Sequence, residues 1–171
     1  MLSNLETKTS NQNKFSLAIE FREAGKYQEA QEWLNTFIVS HPNEPEALSL
    51  LSQVLLLDKK DAESEKVLLT AASLNSELPS IYRNQARLLL KQSKPVEALE
   101  KAQSGYERSS NDPESWLVLA ACLRANRRDK EALPLIEKVL QALDATIKLL
   151  KDGKQIPEQI LLPTIDFTQN F

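Results

Sequence analysis

The side chains of this chain that could do chemistry are few and scattered. There is one histidine, His41, and one cysteine, Cys122. Hydrolysis or group transfer needs a nucleophile, a base and oxyanion donors, or a metal cluster. His41 sits beside Pro42 with no acid or nucleophile at a motif spacing, and near a helix end it serves the helix dipole at most. Cys122, between Ala121 and Leu123, reads as a small buried hydrophobe and not a reactive thiol. No CxxC, HExxH, GxGxxG or phosphate-loop pattern occurs. No enzyme activity, metal or cofactor is therefore expected. One pair does suggest recognition: Arg83 and Arg87 are four apart and share a helix face. Two guanidinium groups so placed can hold a carboxylate through charge-assisted, bidentate hydrogen bonds. The competing reading leaves them solvated or pairs them with Glu114 or Glu46 nearby.

Arginines on one face presuppose a helix, and the composition supplies one. Leu, Ala, Glu and Lys dominate, and only three glycines occur among 171 residues, which disfavours a turn-rich β fold. The 21 basic and 24 acidic residues nearly balance, so there is no electrostatic footprint for nucleic acid. A single cysteine excludes an internal disulfide. The polar stretch Met1–Lys14 lacks the apolar run of a signal peptide. The most apolar segment, Leu48–Leu57, is too short to span a bilayer and carries Ser49, Ser52 and Gln53. These features lead to the expectation of a cytoplasmic chain with no membrane contact.

The helices repeat. Pro45, Pro79 and Pro113 are spaced 34 residues apart, each opening a similar segment. The same step aligns Ala18, Ser52, Ala86 and Ala120 as one small-residue column, and Ala30, Ser64, Ala98 and Ala132 as a second. Phe21, Leu55, Leu89 and Leu123 form a large apolar column, and Leu34, Leu68, Ala102 and Ile136 another. Proline suits the first helical turn, where its missing N–H has no partner to lose. Polar breaks at Gly25-Lys26, 58–61, Ser93-Lys94 and 126–129 divide each unit into two helices. Small residues at fixed places let the two backbones cross closely. Each helix pair cannot bury its apolar face alone and must stack on its neighbours. Four units follow: 11–44, 45–78, 79–112 and 113–146, with residues 1–10 expected to be disordered.

A 34-residue helix pair carrying Leu17, Ala18, Phe21, Gly25, Tyr27, Ala30 and Pro42 in the first unit resembles the tetratricopeptide repeat family. Trp116, Leu119, Ala120, Leu123 and Ala132 carry the same likeness in the fourth unit. The family's small glycine position is Ala or Ser here, Gln85 replaces a usual Leu, and Phe37 stands where Ala is common. The resemblance implies an all-α, right-handed superhelix whose first helices line a concave groove. Carried over by position, the groove residues are Ile19 and Arg22, Ser49 and Gln53, Arg83, Asn84 and Arg87, then Leu117, Val118 and Arg124. The implied role is a protein- or peptide-binding scaffold or adaptor with a protein partner, acidic if the arginines do the gripping. A chaperone-tail clamp does not fit, because Phe15, Ile19 and Leu50 occupy its polar positions. The alternative role is the non-catalytic amino-terminal array of a larger bacterial glycosyltransferase, sulfotransferase or methyltransferase.

Past Leu140 the pattern changes. Ile136, Leu140, Leu143, Ile147 and Leu150 continue at spacings of three or four, predicting one long helix from Asp129 to Lys151 ended by Gly153. Residues 147–171 are then a helix extension and an extended tail with Pro157, Pro163, Ile165 and Phe167. Residues 145–168, through Lys151-Asp152-Gly153-Lys154-Gln155-Ile156-Pro157 and Leu162-Pro163-Thr164, resemble the tail of periplasmic sugar-binding proteins of the ribose-binding type. An uncapped last unit with an apolar tail requires cover, from the tail itself or by self-association through residues 143–171.

Overall fold

A computed structural model describes residues 14–75 and 77–153. These form helices joined by turns, with no strand among the described residues. The first pair is α1 (Ser16–Glu23) and α2 (Tyr27–Ser40), followed by α3 (Pro45–Leu57) and α4 (Asp61–Leu74). The third is α5 (Pro79–Lys91) with α6 (Pro95–Arg108), and the fourth α7 (Pro113–Ala125) with α8 (Asp129–Lys151). Pro45, Pro79, Pro95 and Pro113 each occupy a first helical turn, where no intrahelical bond is lost.

The turn inside each pair is the same structure four times. Gly25, Lys59, Ser93 and Arg127 all have positive φ, at 71°, 61°, 59° and 59°. The next residue's N–H then reaches back to the large apolar column: Lys26 to Phe21, Lys60 to Leu55, Lys94 to Leu89 and Arg128 to Leu123, at 2.8–2.9 Å. Each is a Schellman closure, which satisfies helix-end carbonyls and reverses the chain. Both small-residue columns are buried, from Ala18 and Ala30 in the first unit to Ala120 and Ala132 in the fourth. In the second unit both positions are serine, and the hydroxyls solve the burial problem together. Ser64 Oγ donates to the Ser52 carbonyl at 2.9 Å, and the two hydroxyls lie 3.1 Å apart. Gly105 serves another close crossing: a Cβ there would meet Tyr82 Cβ at 3.2 Å.

The first helices crowd together, α3 on α5 and α5 on α7, whereas α4 and α6 do not pack closely on each other. The array therefore curves with the first helices inside. α8 runs 23 residues against 14 for α2, α4 and α6, and ends at Gly153 with φ 65°. Leu140, Leu143, Ile147 and Leu150 along its far half are exposed. Residues 1–13 and 154–171, with the expected disordered start and most of the tail, lie outside the described residues.

Candidate functional site: a polar seam on the inner helices

Residues of all four first helices meet in one hydrogen-bonded seam. Its centre is Glu114, in the first turn of α7. Glu114 Oε1 accepts from Arg87 Nη2 at 2.7 Å and from Gln53 Nε2 at 2.8 Å. Glu114 Oε2 lies 3.2 Å from Arg83 Nη2. Arg22 of α1 donates to Gln53 Oε1 at 2.8 Å, so the chain of bonds runs from the first unit to the fourth. On the other side of Arg87, its Nη1 donates to Asn84 Oδ1 at 3.0 Å, and Asn84 Nδ2 donates to the Ser49 carbonyl at 2.8 Å. Ser49 Oγ closes on Ser80 Oγ at 2.7 Å.

The groove positions carried over from the family resemblance thus divide into two groups. Arg22, Ser49, Gln53, Arg83, Asn84 and Arg87 are gathered into the seam. Leu117 and Arg124 are not part of it; Leu117 is half-buried, and Arg124 is exposed and faces Asp129 at 3.7 Å. Ile19 is half-buried and Val118 buried among core residues.

Arg83 is the residue whose role the structure changes most. Instead of standing open to a partner, it is buried, with 8% of its surface exposed. Its Nη1 is 2.6 Å from Asp112 Oδ2 and donates to Ser115 Oγ at 3.1 Å. Asp112 also caps α7, accepting the Glu114 N–H at 3.0 Å. The internal pairing weighed against a free receptor is therefore the arrangement present. Its partners are Glu114 and Asp112; Glu46 is exposed. Reversing Arg83 and Arg87 to glutamate would gather four carboxylates at one buried point and unfold the seam, so that double variant cannot report binding alone.

Burial pushes the Glu114 carboxyl up, and Arg87 and Arg83, with help from Arg22, more than offset it, holding it at about 2. The seam is thus a set of ionised groups that already have partners. It presents a fixed pattern of donors and acceptors and not an open cationic patch. Asp112 is the charged member that the sequence reading does not name, and Glu114 enters it only as an internal partner of the arginines. Their signal is local: an acid just before and just after the N1 proline of α7, beside arginines one unit earlier.

The two other candidates lie outside the seam's hydrogen bonds. Cys122 is fully buried, and desolvation pushes its thiol up to about 12, so no thiolate is available at neutral pH. His41 is exposed, stacks on Phe37 at 4.3 Å, and has Nδ1 3.2 Å from the Phe37 carbonyl. No group of three or more His, Cys, Asp or Glu among the described residues could hold a metal. No described helix is long and apolar enough to cross a membrane.

A helix pair repeated four times defines a fold class, the tetratricopeptide-like helical repeat, and solved structures of that fold match. Two crystal structures of MamA align at 15% identity with TM-scores of 0.55 and 0.54. They cover 84% and 86% of this chain, and 86% and 81% of theirs. A third MamA structure aligns at 18% identity and TM-score 0.51, over 73% of this chain and 72% of that one. At these identities the likeness is one of fold. No curated protein sequence matches. The model of the ChAPs family, Chs5p-Arf1p-binding proteins, matches residues 3–139, and the chain belongs to that family. The match stops short of the tail, whose resemblance to sugar-binding proteins finds no support, and it lends none to the bacterial transferase alternative.

Proposed function

We propose that this chain is a non-catalytic adaptor that docks a protein partner on the concave face formed by α1, α3, α5 and α7. The observation that carries the reading is the seam from Arg22 to Glu114, which lays polar groups from four units along one inner surface. Because Arg83 and Arg87 are balanced by Glu114 and Asp112, these four groups hold the curvature. The open positions beside them, Leu117 and the exposed Arg124, offer contact. An apolar side chain with a cation next to it suits a partner surface of mixed apolar and acidic character. The family's name supplies the first partners to try, Chs5p and Arf1p. The absence of reactive groups in the sequence, together with a family named for binding, supports a scaffold that works without catalysis.

Calorimetric titration with purified Chs5p and Arf1p tests this. Wild-type chain should bind at least one of them. Leu117→Glu with Arg124→Glu should weaken that binding at least tenfold at unchanged helicity. Full affinity in the double variant overturns the concave-face reading, and no binding by wild type overturns the partner assignment.

A further inference from the structure

The outer flank of the first unit differs from its counterparts in the other three. An open groove of about 550 Å³ runs along α2, with Phe21, Trp33 and Phe37 at its base and Glu29 and Glu32 on its edge. The rings are ordered against one another. Trp33 stacks on Phe37 at 5.4 Å and 12°, and Phe15 meets both edge-on. The hydroxyls of Thr36 and Ser40 are already engaged with carbonyls of α2 at 2.9 and 3.1 Å. That leaves Glu29 and Glu32, both exposed, without an ion-pair partner among the described residues.

The equivalent stripe on each later second helix carries its own base: Lys66 on α4, Lys101 and Arg108 on α6, Lys138 on α8. Where that flank bears an aromatic ring, those bases cover it. Arg108 lies 4.3 Å and Lys101 6.0 Å from the centre of the Tyr82 ring, and Lys138 lies 5.7 Å from that of Trp116. On α2 the positions corresponding to those bases hold Glu32, Trp33, Thr36 and Ser40, whereas the Glu29 position is acidic in every unit, as Glu63, Glu97 and Glu131. Lys14 lies over Phe15 and is tied to Glu44. The one base on the Trp33–Phe37 row is the His41 imidazole, stacked on Phe37 at 4.3 Å, and no lysine or arginine among the described residues covers that row. An aromatic floor with an acidic edge and neither of those cations is complementary to an apolar side chain flanked by lysine or arginine.

We infer that the α1–α2 groove is a second docking site, distinct from the concave face, for a basic, apolar peptide segment of a partner protein. The apolar side chain covers Trp33 and Phe37, and its flanking cations reach Glu29 and Glu32. The site does not depend on the concave-face reading, and either can fail alone.

Trp33 and Trp116 are the two tryptophans, so Trp116→Phe makes Trp33 the reporter. The probe is a synthetic blocked peptide of sequence Lys-Leu-Leu-Lys-Leu-Leu-Lys, with a version carrying Glu for Lys as control. The basic peptide should shift Trp33 emission saturably, with affinity falling as ionic strength rises. Glu29→Lys with Glu32→Lys should weaken it at least tenfold at unchanged helicity, and the acidic peptide should not bind. Equal binding of both peptides, binding retained in the charge-reversed variant, or no response of Trp33 overturns the inference. So does emission that moves with protein concentration alone, which assigns the groove to a second copy. Emission that moves when Leu2→Ser and Leu5→Ser are made in the full chain assigns it to the chain's own start, and also overturns it.

Discussion

Four residues at one 34-residue spacing adopt the left-handed conformation, yet only Gly25 is free of a Cβ penalty. Lys59, Ser93 and Arg127 accept that conformation because the following N–H closes on Leu55, Leu89 or Leu123. A left-handed non-glycine residue costs about 1–2 kcal/mol, and glycine returns about 0.5–1 kcal/mol of that through its freer unfolded state. Lys59→Gly, Ser93→Gly and Arg127→Gly should each stabilise the fold by about 0.5–1 kcal/mol, read as a higher urea midpoint at unchanged slope. Gly25→Ala should destabilise by about 1 kcal/mol, and through the backbone alone, since an added Cβ there meets nothing within 4 Å. The polar breaks were legible in the sequence, but the conformation within them was not. Lysine, serine and arginine carry no left-handed signature, and only their register with Gly25 does. The same limit applies to Arg83. Its spacing from Arg87 shows a shared helix face but not that α7 arrives with Asp112 and Glu114 over one end of it.

At the scale of elements, two polar contacts tie helices together and respond differently to substitution. Ser52 and Ser64 satisfy each other between α3 and α4 in full burial. Removing Ser64 leaves the buried Ser52 hydroxyl without its partner, at about 1–3 kcal/mol, whereas removing Ser52 leaves Ser64 Oγ donating to the carbonyl of residue 52 and costs less. Ser52→Ala and Ser64→Ala should thus show a double-mutant coupling of about 1 kcal/mol or more in urea unfolding. Values that simply add would mean the hydroxyls find partners elsewhere. Glu114 links α1, α3, α5 and α7, and its folded pKa of about 2 lies below the ordinary 4.5. A depressed carboxyl contributes stability that is present above pH about 4.5 and is lost as pH falls toward 2. The difference is roughly 3 kcal/mol on the usual conversion. Glu114→Gln should therefore unfold more readily than wild type at pH 7, with the gap narrowing between pH 4.5 and 2. A gap that stays constant across that range would mean Glu114 contributes shape and not charge.

For the whole molecule, the columns in register made the helix pairs, the core and the long last helix readable. Every unit solves the same crossing with the same residue sizes. What periodicity cannot show is what lies at the two ends, because an end has no next unit to repeat against. In a stacked array each unit leans only on its neighbours, so stability should grade from the middle outward. Amide exchange should be slowest in α3 to α6 and fastest in α1 and the last turns of α8. The exposed stripe Leu140, Leu143, Ile147 and Leu150 then gives a sharp distinction. None of these side chains belongs to the core clusters among the described residues. Leu140→Glu with Ile147→Glu should leave the urea midpoint within about 0.5 kcal/mol of wild type if the stripe is solvated. A larger fall that does not depend on protein concentration would place the chain's own residues 154–171 over the stripe. A fall that deepens on concentrating wild type would place a second chain there, and sedimentation of the two proteins side by side would show the wild-type dimer lost in the variant.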